Sequence, residues 1–350
     1  MRDNNKKSLE KAVKIIVGLL VFCICVILAL LKFPLNRDGG DIDSETSAFS
    51  QLKETSYSSG FFSDDSQILE SSGEEEPALP ALSFGAEVNL LSKHIIVYDI
   101  DKNYVLYERG AESLCYPASL SKLMTALVAL EHLPPETLLT VGSEVLMIGE
   151  NSSTAYLTAG QRLPAEALTD ALLLPSGNDA AYVFAVNAAK KALGDEGLSN
   201  ADAVRAFVGL MNEKARELGC QNTVFVTPDG YDADGQKTTA ADMARISAAA
   251  YKNDTIRASV GKTEREYKFE GGGKSLWKNT NALIRPESSF YSDCATGMKT
   301  GSTDLAGYCL AVSAEIKGGK YIIVLMDCVT PADRNRDALE IIKGIQEIAE

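Results

Sequence analysis

Histidine is almost missing from this 350-residue chain, which contains only His94 and His132. One lies on a predicted strand and the other near the end of a predicted helix, and neither has a recognisable motif around it. A Ser-His-Asp triad therefore has little support. Basic residues are also in the minority, with 34 Lys and Arg against 48 Asp and Glu. The resulting net charge of −14 argues against a nucleic-acid-binding surface.

Of the seven cysteines, two lie in an apolar N-terminal run and an odd number lies outside it. An odd count argues against a disulfide framework. The five outside are Cys115, Cys220, Cys294, Cys309 and Cys328. If Gly318-Gly319 is a two-residue hairpin loop, Cys309 and Cys328 face each other across the hairpin. We expect two buried thiols there, with a disulfide as the alternative.

The N-terminal apolar run covers residues 15–31 without interruption. With its flanks it extends over residues 12–33, which is long enough to cross a bilayer. Positive charge precedes the run, so we expect the N-terminus to remain in the cytoplasm and the rest of the chain to be exported. No small-x-small cleavage site follows, which favours an uncleaved membrane anchor. The alternative is a cleaved signal peptide and a secreted protein.

The composition divides the chain into three parts. Residues 1–33 form a short cytoplasmic tail and the anchor, and residues 34–80 carry eleven acidic side chains against two basic ones with no apolar period. Such a segment cannot bury enough surface to offset its chain entropy, so we expect a disordered acidic linker. Residues 81–350 form the folded domain.

The folded domain begins and ends with strand patterns. Residues 94–100 and 104–108 predict a first hairpin, and Pro117 then precedes a helix that is apolar almost all round. Residues 164–252 are mostly helical, and Gly-rich strand segments follow before a final helix over 338–350. This order predicts an α+β fold, in which a sheet carries a helical insertion.

Three short motifs stand in this domain in a fixed order, and each alone is weak. They are Ser119-x-x-Lys122, Ser176-x-Asn178 and Lys299-Thr300-Gly301. Their predicted places are a helix start, a loop beside a helix and a strand. A serine and a lysine three residues apart lie on one face of a helix, so Lys122 is within reach of the Ser119 hydroxyl. The combination indicates a nucleophile beside a base.

With these motifs, the folded part resembles the serine D-alanyl-D-alanine carboxypeptidases, the low-molecular-mass penicillin-binding proteins. The resemblance is carried by PASLSKLMTALVAL (117–130), LLLPSGNDAA (172–181), NTVFVTPDGY (222–231), TTAADMARI (238–246), NTNALI (279–284) and GMKTGSTDLAGYCL (297–310). It implies a penicillin-binding protein/β-lactamase-like fold, an antiparallel sheet flanked by helices with an all-helical insertion. One departure is Asp229, where the family has histidine in a Pro-His-Gly turn. We expect little effect, because Pro228 and Gly230 keep the turn chemistry.

The resemblance also implies a set of site residues. Ser119 would be the acylated nucleophile, Lys122 its general base and Ser176 a proton relay to the leaving amine. The substrate-binding residues would be Asn178, Lys299, Thr300, Gly301, Ser302 and Arg334. The backbone N–H groups of Ser119 and Ser302 would form the oxyanion hole, and Arg334 would help to hold the terminal carboxylate. The expected partners are the peptidoglycan stem peptide and inhibitory β-lactams, and no metal or organic cofactor is implied.

Two other functions share part of this pattern. A serine β-lactamase carries all three motifs, but it commonly has Asp where this chain has Gly177, and residues 212–217 lack the asparagine expected after a deacylating glutamate. A non-catalytic β-lactam or muropeptide sensor needs a signalling module. The tail before residue 15 is too short for a cytoplasmic one. Both functions remain alternatives at this point.

Overall fold

The computed structural model describes residues 82–83, 88–270 and 272–349. The predicted anchor at 12–33 and the whole of the linker predicted at 34–80 lie outside these residues. Within the described part of the chain, none of the helices is both long and apolar enough to cross a membrane.

The described elements follow the predicted order of a strand pair, a helical region, further strands and a final helix, and a short strand pair at 138–140 and 162–164 was not predicted. The strands are β1 (His94–Asp99), β2 (Tyr104–Arg109), β3 (Leu138–Thr140), β4 (Arg162–Pro164), β5 (Glu264–Lys268), β6 (Lys274–Lys278), β7 (Ala295–Thr303), β8 (Gly307–Ile316) and β9 (Gly319–Cys328). The α-helices are α1 (Ser121–His132), α2 (Ala165–Leu173), α3 (Asn178–Leu193), α4 (Asn200–Glu217), α5 (Ala240–Lys252), α6 (Asp254–Val260) and α7 (Pro331–Ile348).

The main sheet has five strands in the order β2-β1-β9-β8-β7, and every neighbouring pair is antiparallel. Alternate residues point to opposite faces, as the period of a strand requires. Ile95 and Val97 pack with Ile341 of α7 on one face, while Ile96 and Tyr98 join the core of the inserted helices on the other. The prediction of an antiparallel sheet covered by helices is therefore confirmed.

The helical insertion is built around α1, which is buried from Ser121 to Ala129. Such a helix contacts other elements on all sides, in agreement with its nearly continuous apolar sequence. Helix α5 begins at a Thr239 cap whose side chain accepts the Asp242 N–H, and α4 begins at an equivalent Ser199 cap. Helices α2, α3, α4 and α5 all contact α1, so the insertion packs around the helix that follows Ser119.

The β8–β9 hairpin differs from its prediction by one residue. The loop is Lys317-Gly318, with φ of 48° and 89°, and Ile316 pairs with Gly319. Both loop residues are therefore in the left-handed region, as a type I′ turn requires. Gly319 lies in the strand, where a β-carbon would come within 2.6 Å of Tyr321 Oη. The predicted Gly318-Gly319 loop was wrong.

The new register also changes the cysteine pair. The shifted loop frame takes Cys309 out of the position opposite Cys328; Cys328 pairs with Tyr308, and Cys309 lies in an irregularity between Tyr308 and Leu310. Both cysteines are free and buried. Burial raises the pKa of Cys309 to about 12 and that of Cys328 to about 11, so neither thiol is readily ionised. The expectation of two buried thiols fits this arrangement, but the face-to-face pairing does not.

Candidate active site

Ser119 lies at the entrance to α1. It belongs to a short 3₁₀ turn, Ala118–Leu120, that leads directly into the helix. Ala118 has φ of 48°, a left-handed conformation that a non-glycine residue adopts only when its surroundings enforce it. The turn places Ser119 half-buried at the helix start, with its hydroxyl 2.9 Å from Lys122 Nζ. The predicted nucleophile and base are therefore in hydrogen-bonding contact.

Lys122 is fully buried, and its amine makes a second hydrogen bond, of 2.7 Å, to the carbonyl oxygen of Asp229. Burial lowers the pKa of Lys122 to about 8, against the opposing effect of the carboxylates of Asp229 and Asp179. A free lysine has a pKa near 10.4 and is almost wholly protonated at neutral pH. This amine therefore releases its proton far more readily than a lysine on the surface.

Lys299 of β7 brings a second buried amine into the same region. Its pKa lies well below the usual value because of burial, and the positive charges of Lys122 and Arg334 lower it further. Its Nζ donates a 2.8 Å hydrogen bond to the carbonyl oxygen of Thr300. Gly301 of the same motif lies against the Ser119 amide nitrogen, so the first and third motifs lie together although they are far apart in sequence.

The second motif forms the turn between α2 and α3. Ser176 has φ of 64°, and its carbonyl oxygen accepts a 2.6 Å hydrogen bond from Ser153 Oγ. Asn178 begins α3 and donates from Nδ2 to Ser152 Oγ at 2.9 Å. Its Oδ1 is buried and has no hydrogen-bond partner among the described residues. A buried amide oxygen without a partner is an available acceptor for a bound N–H group.

The second and third motifs are connected through Thr280. Its N–H donates to the Leu174 carbonyl oxygen at 3.1 Å, just before the Ser176 turn. Its hydroxyl lies 2.6 Å from that of Thr300 on β7. The three motifs are thus held around one place, as the resemblance implies.

Strand β7 occupies one end of the sheet and pairs only with β8 among the described strands. Its other edge carries no further strand in the described part of the chain, and such an edge is where an extended peptide can add to a sheet. Thr300 is buried and Ser302 is exposed on this strand. Gly301 lies against the start of the helix, where a β-carbon would come within 2.9 Å of the Ser119 amide nitrogen.

Arg334 lies in the first turn of α7 and is 8% exposed. Its Nη1 donates to the carbonyl oxygens of Gly301 at 3.1 Å and Cys309 at 2.8 Å. The structure therefore brings this arginine to β7, next to the third motif. Both contacts are to backbone, so its expected role in holding a carboxylate stays a prediction.

Comparison with known proteins agrees with this geometry. A family model described as D-alanyl-D-alanine carboxypeptidase matches residues 83–330. The chain belongs to this family. The D-alanyl-D-alanine carboxypeptidase of Streptomyces sp. (strain K15) is 34% identical over 247 residues, which cover 67% of this chain and 80% of that protein.

Other members of the carboxypeptidase family are longer. DacF of Bacillus subtilis is 30% identical over 257 residues, which are 72% of this chain and 61% of DacF. DacA of Escherichia coli is 36% identical over 228 residues, which are 63% of this chain and 52% of DacA. The crystal structure of the Streptomyces K15 DD-transpeptidase superposes with a TM-score of 0.67 at 29% identity. That match covers 74% of this chain and 98% of the other, which confirms the penicillin-binding-protein fold.

This member of the carboxypeptidase family also has site contacts that the sequence did not predict. Asp229, expected to have little effect, places its carbonyl oxygen on the Lys122 amine. Gly230 is required beside it, because a β-carbon there would come within 1.8 Å of the Ala118 carbonyl oxygen. Thr280 lies in the segment 279–284, which contributes to the family resemblance, but no role was predicted for it. Turn chemistry identified 227–230 as a turn, yet it could not reveal which helix the turn contacts.

Proposed function

We propose that this chain is a serine D-alanyl-D-alanine carboxypeptidase that removes the terminal D-alanine from peptidoglycan stem pentapeptides. One observation carries the proposal: the Ser119 hydroxyl lies 2.9 Å from the buried Lys122 amine. A serine hydroxyl becomes a good nucleophile only when a base takes its proton. An amine whose pKa is about 8 can do so near neutral pH.

Acylation follows from this pair. Lys122 takes the proton of Ser119, and Oγ forms a bond to the carbonyl carbon that precedes the terminal D-alanine. Backbone N–H groups at Ser119 and Ser302 would stabilise the resulting oxyanion, and one such donor typically contributes about 3–4 kcal/mol to the transition state. The carbon–nitrogen bond then breaks. The departing amine receives the proton through Ser176, and D-alanine leaves.

Hydrolysis of the ester completes the cycle. A water molecule attacks the acyl carbon while Lys122 accepts one of its protons. The bond to Oγ breaks, the proton returns to Ser119, and the shortened stem peptide departs with a new carboxylate. The proton transfers use only Ser119, Lys122, Ser176 and water.

Substrate positioning uses the open edge of β7. An extended peptide adds there by backbone hydrogen bonds, while the free Oδ1 of Asn178 accepts an N–H from the peptide. Arg334 supplies positive charge, and Lys299 and the hydroxyls of Thr300 and Ser302 supply hydrogen-bond donors, for the terminal carboxylate. A β-lactam presents a strained amide in place of the peptide bond, so it should acylate the same serine.

We further propose that the enzyme works outside the cytoplasm, attached to the cell membrane through residues 12–33. The acidic segment 34–80 would hold the catalytic domain, residues 81–350, away from the membrane surface through mutual repulsion of its charges. If the anchor is cleaved, the same domain is secreted. N-terminal sequencing of the exported protein decides between the two, since a start near residue 34 would mean cleavage.

The decisive experiment combines product release with intact-mass measurement. A diacyl-D-Ala-D-Ala peptide should release D-alanine, and penicillin should add its mass to the chain. Ser119→Ala should abolish both, whereas Ser143→Ala, outside the three motifs, should abolish neither. A chain that stays unmodified by penicillin while a control enzyme is labelled would refute the mechanism. Rapid hydrolysis of a chromogenic cephalosporin would indicate a β-lactamase instead, and acylation without turnover of any substrate would indicate a sensor.

A second outcome of the same acyl-enzyme is transfer to an amine. It is favoured by one observation: the similar solved structure from Streptomyces K15 is that of a DD-transpeptidase. An amine acceptor in place of water would form a new peptide bond and release no free shortened peptide. Adding glycine or a D-amino acid to the peptide assay and separating the products by mass spectrometry measures the ratio of hydrolysis to transfer.

A further inference from the structure

Asp229 has an unusual position for an acidic residue. Its side chain is 1% exposed, directly beside the backbone carbonyl that binds the Lys122 amine at 2.7 Å. Oδ1 accepts a 3.0 Å hydrogen bond from the Tyr231 N–H. Oδ2 is buried and has no hydrogen-bond partner in the described part of the chain. Burying a carboxylate without a full set of partners is costly, so a nearby positive charge is needed to stabilise it.

The groups that face Lys122 come from three directions. Helix α3 contributes Asp179 and Tyr182. The Asp179 carboxylate already accepts hydrogen bonds from the N–H groups of Ala155, Leu157 and Ala180. The Tyr182 phenol interacts electrostatically with Asp229. Strand β7 contributes the Lys299 amine, itself influenced by Arg334 of α7. The turn contributes Asp229. Of the two carboxylates that favour the protonated amine, Asp229 has the larger effect on the pKa of Lys122.

We propose that the Asp229 carboxylate is a positioning residue that retains the proton on Lys122 and so sets the pH above which the amine acts as the base. This inference rests on the proposed function, since it concerns the same amine. Burial drives the proton off the Lys122 amine, while the Asp229 carboxylate holds it on. A neutral side chain in this place would free the base at lower pH.

The charge of Asp229 can be removed without changing the turn. Pro228 and Gly230 fix its backbone, and the contact to Lys122 is made by the carbonyl oxygen of residue 229. In Asp229→Asn the amide oxygen can still accept the Tyr231 N–H. The variant therefore isolates the electrostatic effect. Asp232→Asn is the matched control, because Asp232 lies in the same loop and bonds the Leu305 N–H at 3.2 Å.

The test is the second-order rate of penicillin acylation by the full chain, followed by intact mass from pH 5 to 10. The acylation rate should rise with pH as Lys122 loses its proton. For Asp229→Asn we expect the midpoint of this rise to fall by on the order of one pH unit, as for the loss of a nearby opposite charge. Below both midpoints, acylation should then be about tenfold faster than in the parent chain. Asp232→Asn should keep the parent midpoint.

An unmoved midpoint in folded Asp229→Asn would overturn the inference, and so would an equal shift in Asp232→Asn. If Asp229→Asn does not fold, Asp229→Glu and Asp229→Gln replace it. Glutamate and glutamine have the same size and differ in charge. A lower pH midpoint of acylation in Asp229→Gln than in Asp229→Glu supports the inference, and equal midpoints overturn it.

NMR of ¹³Cε-labelled lysine separates this inference from the proposed function. It follows the Lys122 titration directly, with the resonance assigned by Lys122→Arg. Suppose that penicillin never acylates the parent chain, yet the Lys122 titration midpoint is lower in Asp229→Asn than in the parent. That result refutes the proposed function and supports the inference.

Discussion

Gly301 and Ser119 are in backbone contact: a β-carbon at position 301 would lie 2.9 Å from the Ser119 amide nitrogen and 3.0 Å from Ala118 Cβ. Real β-carbons essentially never lie within 3.0 Å of a backbone atom, so Gly301→Ala should push β7 away from the helix start. The proposed oxyanion donors at Ser119 and Ser302 would then separate. We expect penicillin acylation to slow by about 100-fold, the loss typical of one oxyanion donor.

Gly209→Ala is the control for this substitution. Gly209 lies on the exposed side of α4, with open space where its β-carbon would be. Acylation should be unchanged, and the free energy of unfolding should rise by about 0.5–1 kcal/mol because alanine favours a helix more than glycine does. Equal acylation rates in the two variants would show that the 301–119 contact does not matter for the reaction.

The buried amine of Lys122 should make the stability of the fold depend on pH. Its pKa is about 8 in the folded chain and near 10.5 when exposed, so the unfolded state binds more protons between these values. This residue's contribution to stability therefore rises as the pH increases from 8 to 10.5 and is lowest below 8. Lys122→Met should be inactive but more stable than the parent chain at pH 7.

Urea unfolding of the parent chain and Lys122→Met at several pH values tests this. The stability advantage of the variant should shrink by roughly 3 kcal/mol between pH 8 and 10.5. Using the difference between two chains removes the contribution of other titrating groups. A difference that stays constant with pH would contradict the lowered pKa of the lysine.

Arg334→Lys should damage both the fold and the site. One guanidinium nitrogen binds the carbonyl oxygens of Gly301 and Cys309, and the shorter ammonium of lysine cannot reproduce this planar geometry. We expect a loss of about 1–3 kcal/mol in the free energy of unfolding, the usual cost of leaving a buried acceptor unpaired. Acylation should slow as β7 loses its support.

Arg336→Lys provides the comparison on the same helix. Arg336 is exposed and pairs with Asp333 at the surface, so its substitution should change stability by less than about 1 kcal/mol and leave acylation unaffected. Thermal unfolding and the acylation rate are measured on both variants. If Arg334→Lys behaves like Arg336→Lys, the buried arginine supports neither the strand nor the site.

Asp337 should matter for stability alone. Its Oδ2 accepts hydrogen bonds from the N–H groups of Leu91 at 2.8 Å and Ser92 at 2.6 Å, and from Ser92 Oγ at 2.6 Å. Asp337→Asn replaces one acceptor oxygen by a donor, which should cost about 1–3 kcal/mol in unfolding free energy. Acylation by the folded variant, measured well below its melting temperature, should match the parent rate. A lower rate there would mean that the contact influences the site.

The fold was largely predictable because its signals are local. Residues 94–100 are rich in β-branched and aromatic side chains, as a strand favours, and the apolar sequence after Pro117 favours a buried helix. The final helix begins at Pro331, earlier than the predicted residue 338. Its first turn is polar and shows no apolar period, although Thr330 and Pro331 are a good cap and first residue.

The missed features depend on contacts between distant residues. Two adjacent glycines at 318 and 319 allow two turn frames, and only the pairing of β8 with β9, which sets Ile316 opposite Gly319, shows which one forms. The role of Asp229 depends on a contact with a helix 107 residues earlier in the chain. Motif spacing located Ser119 and Lys122 because both lie on one helical turn, and no such spacing rule exists for a loop that reaches the site from elsewhere.

The position of β9 in the sheet has a consequence for biosynthesis. This strand is the third of five, and it joins β1 to β8. Synthesis of β9 is complete only at Cys328, well after β1 and β2 have been made. Until then β1 and β2 can form only an isolated hairpin, which is marginally stable in water. The long sequence separation of these pairings predicts slow folding after synthesis. A nascent chain that stalls before residue 319 would leave a two-stranded remnant exposed to proteases and chaperones.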